Sequence, residues 1–187
     1  MAARLIDAGI LAAALTMGAG PFAHAQHSHG NAQATHSVLQ IPEALRVEHE
    51  ELHRELAALI GLPGRSGEAA KKVASLLHEH FVSEEAFALP PLGLLVPLAN
   101  GTATGDAREV VAMTDRLEAG LPKMLEEHKA IVAALEALAA AGEAERHPEA
   151  VAFAGKLELH AQNEEQVLYP AALVVGEYVK LKFPRRQ

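Results

Sequence analysis

Residues 80–90 read HFVSEEAFALP and residues 160–170 read HAQNEEQVLYP, so the chain carries one pattern twice in the same register. Each copy has a histidine, glutamates four and five residues later, and a proline ten residues later. A second matching stretch precedes each copy: EHEELHREL at 48–56 and EHKAIVAAL at 127–135. His49 stands 31 residues before His80, and His128 stands 32 before His160. A chain duplicated in this way folds as two similar hairpins, and its histidines act in pairs.

The spacing of apolar residues says that the hairpins are helical. Half of the chain is apolar but only 4% is aromatic, which favours helices over β-rich folds. Leu45, Leu52, Leu56 and Leu59 recur at helical spacing, and His49 lies on their stripe. Val73, Leu77, Phe81 and Phe87 do the same around His80 and Glu84. Leu121, Leu125, Ile131, Val132, Leu135 and Leu138 surround His128, and Phe153, Leu157, Val167 and Leu168 surround His160 and Glu164. Helices are expected over about 42–60, 69–89, 122–140 and from 148 to about 170, with Gly and Pro at their ends. A further helical segment is expected at 106–119, interrupted or kinked at Gly120 and Pro122, from where the third helix continues. The expected fold is all-α: an antiparallel up-down four-helix bundle over 41–176, with the additional helical segment before the third histidine-bearing helix, and a basic tail over 177–187.

Residues four apart share a helix face, so His80 and Glu84 point the same way, as do His160 and Glu164. All four lie on stripes that face a bundle core, where an unpaired carboxylate is very unfavourable. Two cations between the carboxylates remove that penalty. Imidazole and carboxylate suit iron, manganese or zinc, and the absence of cysteine removes thiolate sites altogether. The plainer reading is a buried network in which His and Glu satisfy each other. Four His and two Glu in duplicated register favour metal, with His49, His80, Glu84, His128, His160 and Glu164 as the candidate ligands. Ferritin-like sites use Glu-x-x-His and mainly carboxylates, unlike this pattern.

The motifs HFxxEExxxLP from His80 and HxxxEExxLYP from His160, with Glu-His pairs at 48–49 and 127–128, resemble the hemerythrin-like family, also called the HHE cation-binding domain. The resemblance covers about residues 41–170. It implies a four-helix bundle around a non-haem di-iron centre that binds or senses dioxygen or a related small ligand. It also implies that His49 and His80 hold one iron, His128 and His160 the other, and that Glu84 and Glu164 bridge them. Oxygen-carrying members have a fifth histidine one turn before the third-helix histidine, where this chain has Met124. Water, Glu127 or a neighbouring carboxylate is left to fill that position. The alternative functions are a di-iron enzyme that consumes peroxide or nitric oxide, and a protein for iron storage or delivery. Among the other polar residues, His53 is expected at the edge of its stripe and His78 in solvent. Glu85 and Glu165 are expected to orient ligating histidines, with replacement of Glu84 and Glu164 as ligands the alternative. Tyr169 is expected to be an aromatic at the core edge, with a hydrogen bond donated near the site the alternative.

The remaining expectations concern context. Residues 1–25 have a short apolar stretch at 8–17 and an A-x-A sequence at 23–25, which read as a signal peptide for export, most simply to a periplasm. No membrane span is expected after its removal. Residues 26–40 form a flexible lead-in containing His27, His29 and His36. A formal net charge of −8 without a large basic block speaks against nucleic acid as a partner.

Overall fold

The computed structural model describes residues 39–103 and 107–183. The expected signal peptide and the three lead-in histidines lie outside the described residues. Six α-helices follow in order: α1 (Glu43–Ile60), α2 (Gly64–Ser83), α3 (Leu95–Ala99), α4 (Ala107–Glu145), α5 (Pro148–Asn163) and α6 (Tyr169–Lys182). Among the described residues there is no strand. A π-helical turn, Glu84–Ala88, extends α2, and another, Glu164–Leu168, joins α5 to α6. Pro90–Leu94 forms a 3₁₀ turn before α3.

Helices α1, α2, α4 and α5 close into a ring of neighbours: α1 on α2, α2 on α4, α4 on α5, and α5 on α1. Their inward stripes form one apolar cluster that includes Leu52, Leu56, Val73, Leu77, Phe81, Ile131, Leu135, Leu138, Phe153 and Leu157. These are the apolar positions that helical periodicity selects. At roughly 25 cal/mol per Å² of apolar surface removed from water, this burial is the main force holding the helices together.

The structure corrects the sequence reading at three boundaries. Helix α2 begins at Gly64, not near residue 69. Gly64 has a φ of 76°, and a Cβ there would lie 2.7 Å from Glu145 Oε1, so the position needs glycine. The Glu145 carboxylate accepts hydrogen bonds from the backbone N–H groups of Arg65 and Ser66 and from the Ser66 hydroxyl. It thus caps α2 from the far end of α4.

Second, α4 is one helix of 39 residues that passes through Gly120 and Pro122 without ending. The expected extra segment is the first half of this helix. Its partner is α6: Leu117 and Met124 pack with Tyr169 and Ala172, and Val110 packs with Val175 and Val179. Packing on both sides of Pro122 outweighs the loss of one helical hydrogen bond. Third, α6 runs to Lys182 with Val179 buried, so the stretch expected as a tail from 177 is helical that far.

The helical run from Gly64 to Ala99 contains an 18-residue window of mean hydropathy 1.3, enough by length and composition to cross a membrane. Half of that window is buried inside the protein. Packing within the helical core accounts for its apolarity.

Candidate metal centre

Each helix of the ring delivers one histidine to the interior: His49 from α1, His80 from α2, His128 from α4 and His160 from α5. Glu84 and Glu164 open the two π turns. All six are buried, none more than 3% exposed. The structure therefore brings together the four residues that the i, i+4 pattern selects and the two, His49 and His128, that the repeat and the apolar stripes add.

Every histidine is held from outside by a carboxylate at Nδ1. Glu85 Oε1 lies 3.2 Å from His49 Nδ1, and Glu165 Oε1 lies 2.8 Å from His128 Nδ1. Glu127 Oε2 lies 3.0 Å from His80 Nδ1, and Glu48 Oε1 lies 3.1 Å from His160 Nδ1. A carboxylate acceptor at Nδ1 favours a proton there, and Nε2, which faces the interior, is then the nitrogen that can offer its lone pair to a metal. The roles expected of Glu85 and Glu165 match this geometry. Glu48 and Glu127 were not assigned this role from sequence. Glu127 is bound to His80 and, at 2.8 Å, to Lys123.

The Nε2 atoms converge on the two carboxylates. His80 Nε2 and His128 Nε2 are 2.7 Å apart, and Glu84 Oε1 is 3.3 Å from the former. Glu164 Oε2 is 3.4 Å from His128 Nε2, while its Oε1 is 2.9 Å from His160 Nε2 and 3.7 Å from His49 Nε2. Donor atoms of His80, Glu84, His128 and Glu164 all fall within 4.8 Å of one another, and so do those of His49, His160 and Glu164. The donor atoms group differently from the pairing that the family resemblance implies. His80 joins His128 and His49 joins His160, each pair uniting the two repeats. Glu164 belongs to both groups, and the second oxygen of Glu84 reaches to 3.9 Å from His49 Nε2.

Four of these buried atoms have no hydrogen-bond partner: His49 Nε2, His160 Nε2, Glu84 Oε2 and Glu164 Oε1. The last and His160 Nε2 are close in distance but wrongly directed for a hydrogen bond, as are two ligands that face a common point. Orphaned buried donors and acceptors are rare and ask for a missing partner. An all-N and O donor set with inward lone pairs fits a borderline or hard divalent cation.

Electrostatics point the same way. Burial, and next the charge of Glu164, push the Glu84 carboxyl above its usual range. Burial opposes the charge on Glu164 as well, but the imidazoles of His128, His160 and His49 that face it outweigh burial and hold that carboxyl well below its usual range. Burial alone would lower His80 and His160, yet the carboxylates beside them raise both to about 9. Without a cation, this interior is a cluster of protons shared among acids and bases. A cation substitutes for those protons.

Three neighbours shape the centre. Phe81 stacks on His49, with ring centroids 4.2 Å apart and planes at 13°. His53 is exposed and meets Phe81 edge-on, outside the cluster. Tyr169 is fully buried, lies 3.4 Å from His128 Nε2, and donates its hydroxyl hydrogen to Glu84 Oε1. Burial, then the charges of Glu84 and Glu164, push the phenol well above its ordinary range, so it keeps the proton it donates. Met124 is buried among Phe87, Leu89, Leu92, Leu117 and Tyr169 and contributes only a thioether. Comparisons with protein-family models, with curated proteins and with solved structures return no match to this chain.

Proposed function

We propose that this chain is a hemerythrin-like protein whose buried cluster holds two non-haem irons and binds or senses dioxygen or a related small ligand. The observation that carries the reading is the ring of four histidines, each tied to a carboxylate at Nδ1 and directing Nε2 at two buried glutamates with orphaned oxygens. In this reading the four helices run up and down in alternation. His80, His128 and Glu84 hold one metal, His49 and His160 hold the other, and Glu164 reaches both. Bound iron supplies an open coordination position and a change of oxidation state.

The chain's own residues do the rest. The outer glutamates keep the imidazoles in the tautomer that binds metal. Glu84 and Glu164 balance the positive charge. Leu52, Phe81 and Leu157, close in sequence to the ligands and buried in the apolar cluster, limit water around it. A groove of about 340 Å³ between α4 and α5 is lined by His128 and Glu165 and offers a small molecule an approach from outside.

Metal analysis and optical spectra test this reading on protein purified without oxygen and then exposed to it. About two irons per chain are expected, following the logic of di-iron bundles, together with a spectral change on adding oxygen. Trace metal after iron-replete expression would overturn it. Recovery of the starting spectrum on removing oxygen indicates carriage or sensing. A spectrum that does not recover, with oxygen, peroxide or nitric oxide consumed, assigns the protein to the enzymatic class.

A further inference from the structure

The two repeats match at histidine, both glutamates and proline, but differ nine residues after the histidine. The first has Leu89 there and the second has Tyr169. Both side chains are fully buried and both belong to the cluster that contains Met124 and Leu117. Only the tyrosine carries a polar group, and that group is aimed at the centre: its hydroxyl donates to Glu84 Oε1 and stands 3.4 Å from His128 Nε2.

The π turn accounts for this placement. In an unbroken α-helix, five residues past Glu164 means a rotation of about 140°, well away from the ligand face. The wider turn at Glu164–Leu168 adds one residue, with the backbone N–H of Tyr169 bonded to the carbonyl of Glu164. That delays the rotation by about one residue, roughly 100°, and returns Tyr169 to the side of Glu164. The same turn in the first repeat brings Leu89 inward, its N–H 2.9 Å from the Glu84 carbonyl. The duplicated backbone thus presents one donor to one carboxylate.

We propose that Tyr169 is a positioning residue of the two-metal centre: by holding Glu84 Oε1 it turns the carboxylate so that it spans from the His80–His128 pair toward His49. This inference rests on the two-metal reading and deepens it. Glu84 Oε1 faces His80 Nε2 at 3.3 Å while its Oε2 faces His49 Nε2 at 3.9 Å. Glu164 needs no such donor, because three imidazoles surround it. The two metal positions are therefore unequal. The one between His49 and His160 relies on Glu164 alone, and the one between His80 and His128 relies on Glu164 together with a Glu84 that Tyr169 fixes.

The test compares iron-loaded wild-type protein with Tyr169→Phe, which removes one oxygen, and Tyr169→Leu, which installs the side chain of the matching position. Tyr178→Phe, on the exposed face of α6, is the control. Iron per chain is measured during competition with a chelator, with circular dichroism to check folding and absorption spectra of the ferric proteins. Both Tyr169 variants are expected to keep one iron as the wild type does and to release the other about 10- to 100-fold more readily. A merely structural tyrosine would weaken both irons together, and that result would overturn the inference, as would two irons held as tightly as in wild type. A visible phenolate-to-iron(III) absorption in wild type, lost in Tyr169→Phe and kept in Tyr178→Phe, would overturn it by making Tyr169 a ligand. Wild-type protein that holds no metal would overturn the two-metal reading itself and this inference with it.

Discussion

Glu164 and Glu165 are adjacent and chemically identical, yet they meet different surroundings. Glu164 is 1% exposed and its oxygens face His128, His160 and His49. Glu165 has a side chain 39% exposed and touches the centre only through His128 Nδ1. Glu164→Ala is therefore expected to lose both metals, because it removes the carboxylate common to both groups. Glu165→Ala should weaken binding by about 10- to 100-fold, as loss of a hydrogen-bond partner behind a ligand does. Metal content after dialysis against a graded chelator series checks this, and equal losses would show that the wrong carboxylate was assigned. Residue spacing made the six inner residues legible: i and i+4 share a face whatever the tertiary fold, which selects His80, Glu84, His160 and Glu164, and the matched stretches before them add His49 and His128. The outer carboxylates Glu48 and Glu127 were not legible in the same way. Their partners lie 112 and 47 residues away on other helices, so only the packing of helices reveals them. The Glu-His pairs at 48–49 and 127–128 were their one trace in the sequence.

At the scale of elements, the start of α2 and the crossing of α4 with α6 give two tests. The stretch GLPGRSGE looks like a loop because its glycines and proline break helical periodicity. It begins a helix because Glu145 caps it from a distance of about 80 residues, which no local pattern shows. Hydrogen bonds from Ser66 and from the N–H groups of Arg65 and Ser66 hold the Glu145 carboxyl down at about 2, below its ordinary 4.5. A depressed acid stabilises the fold fully above its unfolded value and loses that contribution as pH falls through its folded one. Glu145→Gln should lower the melting temperature at pH 7 and should flatten the loss of stability between pH 4.5 and 2 relative to wild type. Parallel melting curves across that range would refute the capping role. At the other crossing, a Cβ on Gly176 would lie 2.1 Å from Thr114 Oγ1. Gly176→Ala should destabilise by about 1–3 kcal/mol, as forced overpacking does, and Thr114→Ser together with Gly176→Ala should recover part of it by removing the methyl that also stands in the way. Chemical denaturation curves of the two variants decide the matter.

The ring of helices was readable from periodicity and from the repeat, because each apolar stripe must be covered by another. The continuity of α4 was legible only as one of two alternatives, a break or a kink. Pro122 and Gly120 are local signals for a break, and they are overruled by burial of Leu117 and Met124 on either side. In the whole molecule, the ring and the cluster depend on each other. The candidate ligands come from all four helices, so only the assembled fold could bind metal in this way. The metal-free fold must instead confine Glu84, Glu164 and four histidines in an apolar interior, and burial already pushes the Glu84 carboxyl up. Anything that binds only the folded state stabilises it by mass action, by about 2.7 kcal/mol when free ligand is a hundredfold above its dissociation constant. For a chain of this size that corresponds to roughly 5–10 °C in melting temperature. Chelator-treated protein should therefore melt that much lower than iron-loaded protein, and adding iron back should restore the difference. Glu164→Ala should show no such gain, because it has no common carboxylate to hold the metals. A wild-type melting temperature that ignores iron would mean that the buried His and Glu satisfy each other without a cation, and the structural network would then be the whole role of the cluster.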